Sequence, residues 1–311
     1  GGTGSDWGQS CATDSSGNVY LLGTTSTDRN LSRTGIATRG AHQTTTGGGI
    51  EAFLVKFSSS GARQWGTYYG GTGSDWGQSC ATDSSGNIYI VGFTNFSTTG
   101  IATASAHQTT AGGSQDAFLV KFNSSGVRQW GTYYGGTTTD YGRSCATDAN
   151  GNIYLAGDTK SKTGISTTGA HRSSSFFNST STSFLSYASF LVKFNSSGVR
   201  QWGTYYGGAR HDYGYLCATD ASANVYLVGS TQSSAGISTA GAHQTTWKNN
   251  ENAFLVKFNS IGVRIWGTYY GGTAVAGATS ASYGHSCATD ASGNIYIAGY
   301  TNSTKDIATA G

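Results

Sequence analysis

The sequence predicts an all-β protein, a β-propeller built of four-stranded antiparallel blades. Three observations predict it. A unit of about 68 residues recurs, with Cys11, Cys80, Cys145, Cys217 and Cys287 marking its copies at gaps of 69, 65, 72 and 70. Each complete copy holds four short runs rich in β-branched and aromatic residues, divided by turn-forming sequences. Both faces of the longer runs are apolar, so one sheet cannot bury itself and has to stack on its neighbours. Radial stacking of four-stranded meanders makes a propeller. A parallel β-helix has much shorter coils and no tight hairpins.

The elements follow in order along each unit. The first strand, "QSCATD", carries small residues and belongs where blades converge. A tight "SSGN" turn leads to the second strand, "IYIVGFT" at Ile88, where Ile88 and Ile90 face one way and Tyr89, Val91 and Phe93 the other. A long connection leads to "AFLVKF" at Ala117, a second tight turn "NSSG", and the fourth strand "RQWGTYYGG" at Arg128, which belongs at the outside. Asp and Asn in these turns can accept from nearby backbone N–H groups, and Gly supplies a positive φ. Turns this short join antiparallel strands. One copy departs: "DASAN" puts Ala223 where the others have Gly, at an expected cost of about 1 kcal/mol if that position is left-handed.

First and second strands occur five times, third and fourth strands four times. The prediction is therefore one propeller domain over 1–311, with units at roughly 1–70, 71–135, 136–207, 208–271 and a partial 272–311: four full blades plus a half blade. A half blade leaves an open edge that invites pairing. Either the protein continues, or another chain supplies the two missing strands in a head-to-tail assembly. The absence of Met reads as a processed or partial chain.

Composition narrows the partners. The net charge of +3 suggests acidic ligands, but Lys56, Lys121, Lys193 and Lys257 occupy one repeated position and Arg63, Arg128, Arg200 and Arg264 another. Basic groups spread evenly over a repeat are scaffold, whereas a nucleic-acid reader clusters them. No nucleic-acid partner is expected. No apolar run reaches the length of a membrane span.

The stretches "WGTYYGGTGSDWGQSCATDSSGNIYIVGFT" and "GIATASAHQTTAGGSQDAFLVKFNSSGVRQ" resemble the SBBP repeat, a bacterial β-propeller repeat, and the resemblance runs over essentially the whole chain. It implies a secreted or surface-exposed bacterial protein with adhesion-like roles and no shared catalytic set. The family usually has an aliphatic residue where this chain has Cys, so the resemblance says nothing of the thiols.

Candidate sites divide into repeated and unrepeated residues. The five Cys read as small buried hydrophobes, without the Cys-x-x-Cys spacing of a zinc site. Neighbouring copies are expected about 10 Å apart, out of disulfide reach. His42, His107, His171 and His243 share one position and read as loop anchors, while His211 and His285 read as solvated corner residues. Asp14, Asp83, Asp148, Asp220 and Asp290, before the first turn, read as turn caps rather than calcium ligands. Asp6, Asp75, Asp140 and Asp212 read as corner caps, with Ser282 in the fifth copy. No metal and no cofactor are expected.

Function in a propeller lies in what differs between blades. The corners and the long second-to-third connections share one face. Arg29, Arg33 and Arg39 make the first such loop basic, and Phe176, Phe177, Phe184 and Tyr187 make the third aromatic. Trp247 and Lys248 mark the fourth, and Arg210 and His211 a corner. The candidate ligand-binding set is Phe176, Phe177, Tyr187, Arg210, His211, Trp247 and Lys248, suited to a glycan or a surface protein. The carboxylates outside the repeat, Asp28, Asp158, Glu251 and Asp306, lie in four different units, and no nucleophile elbow or metalloprotease motif occurs. No catalytic residue is expected. The sequence thus points to a non-enzymatic, extracellular or cell-surface binding and adhesion scaffold. Its alternatives are a structural subunit that self-associates through the open half-blade edge into a filament, and a carbohydrate-binding or carbohydrate-active protein.

Overall fold

The structure, a computed structural model, describes residues 2, 4–26, 35–175, 186–248, 250–273 and 280–308. Among them are eighteen strands and no α-helix. β1 (Ser5–Thr13), β2 (Val19–Ser26), β3 (Ile50–Phe57) and β4 (Arg63–Tyr69) form the first sheet, in that order. The second holds β5 (Ser74–Thr82), β6 (Ile88–Asn95), β7 (Gln115–Phe122) and β8 (Arg128–Tyr134). The third holds β9 (Asp140–Thr147), β10 (Ile153–Thr159), β11 (Ala188–Phe194) and β12 (Arg200–Tyr206). The fourth holds β13 (Asp212–Thr219), β14 (Val225–Thr231), β15 (Asn252–Phe258) and β16 (Arg264–Tyr270). β17 (Ser282–Thr289) and β18 (Ile295–Thr301) pair as a two-stranded sheet. The chain is thus a β-propeller repeat structure of four full blades and a half blade. It divides into two compact units, one of residues 1–155 with 194–201, the other of residues 156–193 with 202–311.

Apolar faces on both sides of each middle strand find cover on both sides. β6, β10 and β14 are buried almost end to end. In the first unit, Leu22, Leu54, Ile88, Ile90, Phe118, Val120 and Tyr133 join one core that crosses two sheets. First strands of successive sheets lie close enough to bond: Thr82 Oγ1 donates to Thr13 O and Thr147 Oγ1 to Thr82 O, both at 2.7 Å. In the second unit Thr289 Oγ1 donates to Thr219 O at the same distance. The expected spacing of about 10 Å between neighbouring first strands is therefore too large, because small residues there let the backbones converge. The Cys80 N–H donates to Ser10 Oγ at 3.2 Å, and Cys145 N–H to Ser79 Oγ at 3.3 Å. All five cysteines are free thiols; four are buried, but Cys11, on a strand with no such partner among the described residues, is exposed.

The Asp-x-x-Gly-Asn turn is a repeated cap. Asp148 Oδ1 accepts from the N–H of Asn150 and Asn152, and Oδ2 accepts from Asn152 Nδ2 and the Tyr154 hydroxyl at 2.8 and 3.2 Å. Ala223 does sit at φ 59°, where Gly17, Gly86, Gly151 and Gly293 sit at 74–81°. Ala223→Gly is expected to stabilise the chain by about 1 kcal/mol, read as a higher urea midpoint at unchanged slope.

Candidate functional site

Corner carboxylates cap the chain as it passes between sheets: Asp75 Oδ2 accepts from Gly71 N–H at 2.7 Å and from Ser97 Oγ at 2.9 Å. Asp140 and Asp212 receive Gly136 N–H and Gly208 N–H in the same way. In the fifth copy Ser282 Oγ bonds Thr301 Oγ1 at 2.8 Å instead. Burial pushes Asp212 up to about 6, against hydrogen bonds from Thr231, Gly208 and Ser233 that favour its anion. The shared histidines are ring-packed anchors. His42 stacks on Tyr69, His107 packs tilted against Tyr134, and burial first, then Arg128 or Arg200, lowers them to about 4. The basic positions are scaffold as well, with Arg63 Nη1 donating to Gly35 O at 2.8 Å.

On this constant frame, one layer varies. The first strands of four sheets share a β-bulge, between Gly8 and Ser10, Gly77 and Ser79, Gly214 and Leu216, and Gly284 and Ser286. The extra residues are Gln9, Gln78, Tyr215 and His285, and Arg143 has the same place in the sequence of β9. A bulged residue is released from the ladder and its side chain is re-aimed. None of these five is buried. Two residues before each is an aromatic: Trp7, Trp76, Tyr141, Tyr213 or Tyr283. Directly across from four of these stand Thr24, Phe93, Ser230 and Tyr300. The residues at the start of the third strands vary too: Ile50 and Gln115 head β3 and β7, and Tyr187 and Glu251 immediately precede β11 and β15.

In the first unit this layer is a small aromatic cluster. Trp76 stacks on Phe93 at 4.8 Å, Phe93 meets Tyr141 edge-on at 4.7 Å, and the Arg143 guanidinium lies 4.6 Å over Tyr141. The Tyr141 hydroxyl donates to Gln115 Oε1 at 2.6 Å.

In the second unit it is a longer row of near-parallel rings. His211 stacks on Tyr213 (5.8 Å, 0°), Tyr213 on Tyr215 (6.0 Å, 3°), Tyr215 on His285 (5.2 Å, 4°), and His285 on Tyr300 (5.1 Å, 19°). Tyr187 flanks the head of the row, with Lys160 Nζ 4.5 Å over its ring. Two carboxylates lie behind. Asp158 Oδ1 accepts from Gly214 N–H at 2.8 Å and Glu251 Oε1 from Ser230 Oγ at 2.7 Å. Burial, then Tyr215, Asp158 and Glu251, push Tyr213 up to about 12. Burial and Glu251 do the same to Tyr283. These tyrosines are therefore neutral donors at any ordinary pH.

Two expectations are corrected here. His211 is not a merely solvated corner residue: its Nδ1 accepts the Tyr187 N–H at 3.2 Å, and burial lowers its pKa. His285, though exposed, is sandwiched between Tyr215 and Tyr300. Asp158 and Glu251, far apart in sequence, both accept from the same stretch of the paired strands β13 and β14, Asp158 from Gly214 N–H and Glu251 from Ser230 Oγ. The sheet stacking brings them together.

The predicted binding residues separate. Tyr187 and His211 join the row, and Arg210 beside them is exposed. Lys248 pairs with Asp306 at 3.1 Å while its N–H donates to Asn252 Oδ1 at 3.0 Å. Trp247 is half-buried, with its Nε1 enclosed and unpaired. Phe176 and Phe177, like Phe184, Arg29, Arg33 and Asp28, lie outside the described residues. The bulge residues were missed by sequence reasoning. Their signal was present as the one changing letter after a constant aromatic-Gly pair, in "DWGQS", "DYGRS", "DYGYL" and "SYGHS".

Among the described residues no three His, Cys, Asp or Glu side chains come together as a metal site, and no helix is long and apolar enough to cross a membrane. Fold and site together define a β-propeller repeat protein with a constant frame and a variable strand-head layer. Residues 64–97, 129–163 and 265–306 match the family model of the SBBP β-propeller repeat, and these three segments carry that repeat. No curated protein matches the sequence. Among solved structures, a gluconolactonase of Xanthomonas campestris, XC5397, aligns over 96% of this chain and 84% of its own, at 9% identity and a TM-score of 0.36. A likeness that weak carries no argument about activity.

Proposed function

We propose that this chain is a non-enzymatic binding scaffold that engages a ligand through its strand-head layer, on the outside of a bacterial cell. One observation carries the reading. The repeat keeps a bulge at the same place in four first strands yet changes the residue it presents, from Gln9 and Gln78 to Tyr215 and His285. A bulge interrupts a ladder and is kept where it re-aims a side chain. Varying that side chain on a fixed frame is how a scaffold sets what it binds. The row from Tyr213 to Tyr300 presents aromatic rings, hydroxyls and an imidazole, a mixture suited to a hydroxyl-rich polymer such as a glycan. Asp158 and Glu251 are held by Gly214 N–H and Ser230 Oγ, which favours a positioning role over acid–base chemistry. The placement outside the cell draws support from the thiols. Four of the five are buried, and burial raises the Cys80 and Cys287 thiols above the ordinary range, so these two are shielded from the oxidants met outside a cell.

The test is an array of bacterial and plant glycans probed with the purified chain and with the Tyr215→Ala/His285→Ala variant. Specific binding that the double variant loses, by about tenfold or more in Kd, is the expected result. Binding that survives both substitutions at full strength would falsify the site assignment. Turnover of a bound glycan would remove the non-enzymatic reading.

A further inference from the structure

A second feature stands apart from the binding layer and concerns the open side of the half blade. In each complete step of the repeat, one sheet's fourth strand is covered by the third-and-fourth-strand hairpin of the next. Trp65 Nε1–H donates to Ser124 O, Trp130 to Ser196 O and Trp202 to Ser260 O, at 3.0–3.1 Å. Lys56, Lys121 and Lys193 donate to the same three carbonyls at 3.0–3.1 Å. His42, His107 and His171 each meet a phenylalanine of that hairpin edge-on at 5.7 Å: Phe122, Phe194 and Phe258. The hairpin's turn glycines, Gly126, Gly198 and Gly262, lie so near the Trp rings that a Cβ would come within 2.8–2.9 Å.

The fourth set of the same groups has none of these partners among the described residues. Trp266 Nε1 has no carbonyl acceptor. His243 stacks on Tyr270 at 5.9 Å but meets no phenylalanine. Lys257 sits 3.2 Å from Asp220, where Lys56 and Lys121, drawn to their carbonyls, stand 3.9 and 3.8 Å from the equivalent carboxylates. Tyr69, Tyr134 and Tyr206 are fully buried, whereas Tyr270 is half-buried. Between these groups lies a groove of about 530 Å3, walled by His243, Leu255, Trp266, Tyr270, Ile295 and Ile297. β18 borders it, paired only to β17 and exposed along most of its length, while β6 and β14 are each paired on both edges. An unpaired edge is a template for one more strand.

We infer that this groove and the free edge of β18 form a receptor for a β-hairpin carrying the repeat's own third-and-fourth-strand sequence. The match is specific in four ways. The added strand takes the β18 edge. Its last phenylalanine fills the place beside His243 and Tyr270. The carbonyl in its Ser-Ser-Gly turn accepts from Trp266 Nε1 and Lys257 Nζ. Its turn glycine lies on the Trp266 ring, where any side chain would collide. The three complete steps of the same molecule already display all these contacts.

The test uses the whole chain and a labelled synthetic peptide of residues 115–134, followed by fluorescence anisotropy. One-to-one binding is expected, weakened about tenfold or more by Phe122→Ala in the peptide. Ile297→Asp in the protein should weaken it similarly at unchanged far-ultraviolet circular dichroism. The Phe122→Ala peptide keeps the result readable if the Ile297 variant misfolds. No binding at concentrations on the order of 100 μM, or equal binding of both peptides, overturns the inference. So does self-association of the protein that excludes the peptide, which would assign the groove to a second copy, or occupation by a small apolar dye where the peptide fails.

Discussion

Asp83→Ala will lower the stability of the first unit by roughly 3 kcal/mol, the sum of several charge-assisted hydrogen bonds lost together. Asp83 Oδ1 accepts from Ser85 N–H, Asn87 N–H and Asn87 Nδ2, and Oδ2 from Asn87 Nδ2 and the Tyr89 hydroxyl, all at 2.8–3.1 Å. Lys121 stands 3.8 Å away. Tyr89 is fully buried, so its hydroxyl would be left without an acceptor inside the core. The contrast is Asp290→Ala. The same turn recurs there with nearly the same bonds, but Tyr296 above it is 59% exposed. Water replaces what that substitution removes, so its effect should be clearly smaller. Urea unfolding of both variants decides it, and equal losses would show that the turn, not its burial, sets the cost.

Gly92→Ala will be at least as damaging, at roughly 3 kcal/mol or more for a clash against backbone. Gly92 pairs with Gly77 across the bulged step, and an added Cβ would collide with the Trp76 carbonyl oxygen and the Phe118 ring. Backbone on one side and a core ring on the other leave nothing to give way. Gly49→Ala is the control, since its nearest neighbour would be Ser74 Oγ at 3.8 Å. Loss of the folded circular-dichroism signal at a lower urea midpoint for Gly92→Ala alone is the expected pattern.

Much of the architecture was legible because the repeat states it five times. The period set the number of sheets, the double-faced apolar strands required stacking, and Asp-x-x-Gly-Asn named its own turn and cap. Ala223 was legible as a left-handed residue because four glycines occupy its place elsewhere. The site was less legible. His211 and His285 looked like isolated loop residues because the row of rings is assembled from β13, β17 and β18, which belong to different sheets, and no local pattern records it. Asp158 and Glu251 looked unrelated for the same reason.

What the sequence by itself determined was everything that one unit dictates locally: strand order, turn type, capping and the need for neighbours. The tertiary structure decided where the inserted bulge residue is aimed, which unrepeated side chains meet, and which copies of a repeated group go unpartnered. The physical reason is that repetition encodes short-range geometry in every copy, whereas a contact between sheets exists only once the neighbouring sheet is in place. Trp65 and Trp266 are the same letter in the same motif, and only the sheet beyond them makes one a paired donor and the other the wall of an open groove.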